Sequence, residues 1–139
     1  MQAFIDVESK ITDTEGNCEK TVLRTEGKFV NKEDTFYIAY DENNTENIGT
    51  SRMTIKATAD KVSLTRSGFM PNNLYVEKGK RHLCHYNTEF GQILIGISAI
   101  SIKSDLTEKG GHLRFVYEID VNSDKCSKNE IDIKVREAN

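Results

Sequence analysis

Along most of this chain apolar residues return at every second position, and that spacing restricts the fold more than any other feature. The stretch "AFIDVESKI" sets Ala3, Ile5, Val7 and Ile11 on one side, with Asp6, Glu8 and Lys10 on the other. "TFYIAYDE" aligns Phe36, Ile38 and Tyr40, "SRMTIKA" aligns Met53, Ile55 and Ala57, and "DKVSLTR" aligns Val62, Leu64 and Arg66. "NLYVEKG" aligns Leu74 and Val76, and "HLRFVYEIDV" carries Leu113, Phe115, Tyr117, Ile119 and Val121. "EIDIKVRE" closes the series with Ile131, Ile133 and Val135. A pleated strand sends successive side chains to opposite faces, so this is the pattern of half-buried strands rather than of helices.

Between these runs lie "TEGN", "EGKFVNKED", "DENNTENIG", "ATAD", "SGFMPNN", "EKGK", "NTEFG", "EKGG" and "NSDKCSKN". Their Gly, Asn and Asp residues supply the backbone angles that tight reversals need, and the turn signals recur about every ten residues, as between hairpin-connected strands. No stretch shows a long helical stripe with caps, which excludes parallel βαβ units. About eight to ten antiparallel strands in one small domain leave edges to be managed, and closure into a barrel removes them. The sequence therefore predicts an all-β chain, with residues 1–139 forming a single antiparallel up-and-down β-barrel and helix limited to short turns. A two-sheet sandwich is the alternative.

Composition narrows the function more than it defines it. A chain of 139 residues with 37% apolar and 29% charged residues is an ordinary globular domain, large enough to bury a core without staples. Its net charge of -3, with both signs interspersed, argues against a nucleic-acid partner, because phosphate binding needs a concentrated basic face. The densest basic stretch, "KGKRH" at Lys78 to His82, is short and suits a solvated hairpin tip. No basic, apolar leader opens the sequence, and "ILIGISAISI" at Ile93 to Ile102 is at most half a membrane-spanning helix. Cys18, Cys84 and Cys126 are widely spaced and odd in number, which suits reduced thiols and a cytoplasmic location.

One cluster invites a chemical interpretation: His82, Cys84 and His85. In a strand, His82, Cys84 and Tyr86 share a face while His85 points the other way, so Cys84 and His85 cannot act as nucleophile and base. His82 and Cys84 lack a second nearby ligand pair, so no metal site is assigned. A buried thiol is the simpler expectation for Cys84. "NTEFG" then reads as a hairpin turn in which Asn87 or Thr88 bonds local backbone groups. The following "ILIGIS" is apolar on both faces, which predicts a strand covered on its outer side too, with Gly96 at a bend or close backbone contact. The acidic pairs Glu33 and Asp34, and Asp41 and Glu42, sit at turn edges and read as solvated.

Arg66 is the exception to an apolar interior. It follows Val62 and Leu64 on the inward face, and a charge is rarely buried without a partner. Either it reaches solvent at the barrel mouth, or it points inward toward a carboxylate, carbonyls or a ligand anion. Tyr40 shares the face of Phe36 and Ile38, and Tyr86 that of Cys84. Arg66, Tyr86, Tyr40 and Thr88 are therefore the candidate ligand-contacting residues. No GxSxG, GxGxxG, P-loop or HExxH occurs. No catalytic residue and no cofactor is assigned, although distant strands can assemble a site, so an enzymatic role stays open.

The motifs "YIAYDE" at Tyr37 to Glu42, "SLTRSG" at Ser63 to Gly68 and "YNTEFG" at Tyr86 to Gly91 resemble, in order and spacing, those of the YwiB-like family of small bacterial proteins of uncharacterised function. The resemblance spans nearly the whole chain and implies a calycin-type, lipocalin-like barrel in the bacterial cytoplasm. It supplies no substrate. The chain has no tryptophan, so the Gly-x-Trp signature of the lipocalins proper is absent. Two roles follow as expectations. The first is a small-ligand-binding barrel whose lumen takes an apolar or amphiphilic molecule with an anionic group. The alternative is a side-chain-filled barrel acting as a structural or regulatory interaction module, monomer or homodimer. Neither involves nucleic acid or a membrane.

Overall fold

Ten strands follow one another: β1 (Gln2–Asp13), β2 (Cys18–Lys32), β3 (Thr35–Asn43), β4 (Thr50–Ala57), β5 (Lys61–Gly68), β6 (Asn72–Glu77), β7 (Arg81–Thr88), β8 (Gly91–Ser104), β9 (Gly110–Val121) and β10 (Asp124–Glu137). This computed structural model describes residues 1–43, 50–68, 71–88 and 90–138, and no helix occurs among them. Of the expected turns, 44–49 of "DENNTENIG", 69–70 of "SGFMPNN" and Glu89 of "NTEFG" lie outside the described residues.

The strands form one antiparallel sheet in the order β6-β5-β4-β3-β2-β1-β10-β9-β8-β7. Sequence neighbours pair throughout the two arms, and β10 returns beside β1, from Ala3↔Glu137 to Asp13↔Ser127. The sheet thus curls into a nearly closed up-and-down barrel. Its seam falls between β6 and β7, which are joined by a backbone bridge, Glu77↔Lys80, at their turn. Side chains span the rest. His82 Nε2 lies 2.9 Å from Glu77 Oε1, while the Asn87 amide donates to Asn72 Oδ1 at 2.8 Å and Asn87 Nδ2 to the Pro71 carbonyl at 2.5 Å. The edge strands thus face each other across the seam and are tied together at its two ends.

The predicted inward faces hold on β1, β3, β4, β5, β6, β9 and β10: Ile5, Ile38, Ile55, Val62, Val76, Leu113, Phe115 and Ile133 are all nearly inaccessible. The longest departure is β2. "EGKFVNKED" is not a turn as far as Lys32; it is the second half of a long strand, and only the Glu33 and Asp34 step reverses the chain. Gly27 signals a close approach instead of a turn, since a Cβ there would meet the Ala39 carbonyl oxygen and sit 2.7 Å from Ile5 Cδ1. Phe29, from the same stretch, stacks on Phe36 with centroids 5.9 Å apart and helps to plug one end of the barrel. "NSDKCSKN" shrinks likewise to Asn122 and Ser123, both at positive φ as a two-residue hairpin turn requires. Asp124 onward is strand.

The doubly apolar "ILIGISAISI" has a different explanation from the expected outer cover. The β8–β9 register shifts between Ala99 and Ser101, so Ile100 is the extra residue of a bulge. The bulge switches the inward parity: Ile95 and Ile97 are buried on one side of it and Ile102 on the other. Among the described residues no other element covers the outer face of β8. Leu94 is exposed, and the atoms nearest to a Cβ at Gly96 belong to the Arg81 side chain, with Nε 2.5 Å away. Gly96 therefore marks a side-chain crossing rather than a bend. Arg81 passes over it to reach Asp120 with two bonds, Nε to Oδ2 at 2.9 Å and Nη2 to Oδ1 at 2.5 Å.

Candidate functional site

One half of the interior is filled by side chains and the other is not. The unfilled half is a cavity of about 470 Å³, within the range of small-molecule sites (~300–1,000 Å³). It lies at the end of the barrel that carries the β1–β2 and β9–β10 turns. Its walls are mostly aliphatic, including Leu23, Met53, Leu64, Leu74, Ile95, Ile119 and Ile131, each held inward by the period-two rule on its strand. The rim includes Ile11 and Ile93, both partly open to solvent.

A polar cluster interrupts the aliphatic wall. The register aligns Tyr40 with Met53, Met53 with Arg66 and Arg66 with Asn72, a row running around the barrel through β3, β4, β5 and β6. One pleat further along β3, Glu42 shares Tyr40's face and reaches Arg66. Arg66 Nε donates to Glu42 Oε1 at 3.2 Å and Nη2 to Oε2 at 3.4 Å. Each side chain is 31% exposed, so the pair sits at the cavity mouth between solvent and core. Arg66 thus combines features of both alternatives: it lies at the mouth, partly in solvent, and its partner is a carboxylate.

Three phenols belong to the same region. Burial raises the Tyr40 phenol well above its ordinary range; the Glu42 carboxylate adds to the rise and Arg66 opposes it. Burial also pushes the Tyr117 phenol up to about 12, with Tyr86 adding and Arg66 opposing. Tyr86 lines the cavity from β7. No buried side-chain nitrogen or oxygen among the described residues lacks a partner. Tyr40, Tyr86 and Tyr117 all line the cavity, and their hydroxyls make no hydrogen bond to another described residue. Asn129 Nδ2 donates to Ser127 Oγ at 3.0 Å on the β10 side of the wall, next to Cys126.

Of the four expected contact residues, Arg66, Tyr40 and Tyr86 converge on this cavity and Thr88 does not. Thr88 Oγ1 donates to the Gly91 carbonyl at 2.7 Å and accepts from the Phe90 amide at 3.1 Å, closing the β7–β8 turn. Glu42 is the residue that sequence reasoning missed. Extending the Phe36, Ile38, Tyr40 series by one step points to it, but its place before a turn made it read as solvated. Tyr117 was placed inward without being singled out.

The fold separates the three residues of the cluster that looked most chemical. Cys84 is buried in the core, His85 faces outward, and His82 is engaged with Glu77 across the seam. Cys18 and Cys126 are exposed and all three thiols are free. Among the described residues no three His, Cys, Asp or Glu side chains are grouped to hold a metal. On the outer wall, His112, Arg114, Glu130 and Asp132 form an ion-pair network, with His112 Nε2 2.8 Å from Asp132 Oδ1 and Arg114 Nη2 3.0 Å from Glu130 Oε1. Arg114 Nη1 also meets Asp132 Oδ2. These groups satisfy one another across β9 and β10. No helix among the described residues is long and apolar enough to cross a membrane.

Fold and cavity together define a nearly closed, ten-stranded antiparallel β-barrel with a half-open lumen. Residues 5–133 match the family described as "Domain of unknown function (DUF1934)", and the chain belongs to that family. It is 29% identical over 121 residues to the "Uncharacterized beta-barrel protein YwiB" of Bacillus subtilis (strain 168), covering 87% of this chain and 83% of that protein. It also superimposes on the crystal structure of the ywiB protein from Bacillus subtilis with a TM-score of 0.79 and 26% identity, over 96% of this chain and 90% of the other.

Proposed function

We propose that the protein is a cytoplasmic small-molecule-binding barrel and that the open half of its lumen is the binding site. One observation carries this reading. A cavity of about 470 Å³ combines mostly apolar walls with a polar cluster that includes Arg66, Glu42, Tyr40, Tyr86 and Tyr117. Such a cavity fits a small apolar or amphiphilic ligand: the walls take the apolar body and the cluster orients the polar end. The free, exposed Cys18 and Cys126 support a reducing compartment. The test is the neutral fluorophore N-phenyl-1-naphthylamine, whose emission rises in an apolar site. Wild-type protein should bind it saturably, and Leu23→Trp, which fills the lumen from β2, should not. Equal fluorescence with both proteins would remove the lumen as the site.

A second reading rests on a different observation. Leu83 and Leu94 are exposed on the outside of the β7–β8 hairpin, and Phe90 at its turn is 97% exposed. Clustered exposed apolar residues mark contact surfaces, so this hairpin is the surface on which a homodimer or a protein partner would dock. Sedimentation at rising concentration decides it. A monomer throughout, unchanged by Leu83→Ser with Leu94→Ser, would exclude the homodimer.

A further inference from the structure

The polar end of the ligand can be specified further, given the half-lumen as binding site. Among the described residues, Arg66 and Glu42 are the only formally charged side chains lining the cavity. They face each other through two charge-assisted bonds, Nε to Oε1 and Nη2 to Oε2. The formal charge of that lining is therefore zero. Around the pair, the phenols of Tyr40, Tyr86 and Tyr117 can each donate and accept one hydrogen bond or more.

Charge balance then decides which head groups fit. A carboxylate or phosphate finds donors on Arg66 but meets the Glu42 carboxylate beside them. An ammonium finds acceptors on Glu42 but meets Arg66. Either ion gives up hydration for a site that offers no net compensating charge, and an incompletely compensated ion is costly to desolvate. A hydroxyl or carboxamide loses far less on entry, and it both donates and accepts, as this cluster does. Arg66 viewed alone suggests an anion. Arg66 viewed with its partner does not.

We propose that the half-lumen takes a neutral amphiphile, with an apolar body and a hydroxyl or carboxamide head, and that Glu42 sets this preference by neutralising Arg66.

The experiment measures displacement of N-phenyl-1-naphthylamine by decan-1-ol, decanamide and decanoate at neutral pH. It uses wild type, Glu42→Gln and Arg66→Gln. Differences in intrinsic hydrophobicity among the probes cancel when each affinity ratio is compared between proteins. Wild type should prefer the alcohol and the amide to decanoate. Glu42→Gln frees the positive charge of Arg66 and should shift the decanoate-to-decanol ratio about tenfold toward decanoate, the size of effect a single charge exerts at a partly exposed site. Arg66→Gln, which leaves Glu42 alone, should shift the ratio the opposite way, so the charge logic is tested even if one variant folds poorly. A wild type that prefers decanoate, or one ratio shared by all three proteins, would overturn the proposal while leaving the lumen as the site. If none of the probes displaces a fluorophore that Leu23→Trp excludes, this proposal fails while the lumen stands as the site; if Leu23→Trp does not exclude it, the lumen reading fails and this proposal with it.

Discussion

Two isoleucines on one strand should respond very differently to the same truncation. Ile133 and Ile131 lie two residues apart on the inward face of β10, but Ile133 is fully buried in the plugged half and Ile131 borders the cavity. Changing isoleucine to alanine removes three carbons, about 2.4 kcal/mol of transfer free energy when all are buried, at ~0.8 kcal/mol each. At Ile133 the vacated space is a new enclosed void, which adds a cavity term. The total becomes about 3–4 kcal/mol, inside the measured range for such changes. At Ile131 part of the side chain already meets open space and the vacated volume joins an existing cavity, so the loss falls to about 1 kcal/mol by the same reasoning. Urea unfolding followed by far-UV circular dichroism separates the two. With a slope of about 1.5 kcal/mol/M the midpoint should fall by about 2 M for Ile133→Ala and about 0.7 M for Ile131→Ala. The reverse substitution should invert the contrast in tolerance: Ile131→Phe fits, whereas Ile133→Phe overpacks. Equal losses for the two alanine variants would mean that the lumen is closed around Ile131, and the case for a binding cavity would fall.

The thiols offer a direct check on accessibility. In folded protein a maleimide should modify Cys18 and Cys126 rapidly and Cys84 only after unfolding, and a lumen ligand should slow Cys126, which lines the cavity, without slowing Cys18. Arg81 holds the Asp120 carboxyl below the ordinary carboxylate range through its side-chain hydrogen bonds. A depressed carboxylate contributes stability above its unfolded pKa and loses it as pH falls through the folded one. Arg81→Ala should therefore be less stable than wild type at neutral pH, with the gap closing in strong acid; a gap independent of pH would refute this. In alkali, the raised Tyr117 pKa means that its unfolded form releases the proton first, so stability should fall as pH rises from about 10 to about 12. Phenolate absorbance should show a late step that Tyr117→Phe diminishes.

Strand identity was legible where side chains alternate without interruption. Ile5, Ile38, Val62, Leu113 and Ile133 all point where period two sends them, because the pleat is a local property of the backbone. The inward direction of Arg66 followed from the same rule. Legibility failed where a tertiary contact gives a residue a meaning its type does not suggest. Gly27 looks like a turn and is a strand residue, because Ile5 and the β3 backbone leave no room for a Cβ. Ile100 carries a bulge that swaps the faces of β8 halfway along, which no alternation count anticipates.

The site divides in the same way. Local alternation was enough to bring Arg66, Tyr40 and Tyr86 to the interior. That Glu42, 24 residues before Arg66 in the chain, neutralises it depended on the β3–β4–β5 register, which joins residues that sequence leaves apart. Whether the lumen is filled or open was likewise decided only in three dimensions. It depends on how Phe29, Phe36 and Phe115 distribute their volume along the barrel axis, packing one half and leaving the other to solvent or a ligand. Alternation determines the side of a strand a residue occupies; strand pairing and packing determine what it meets there.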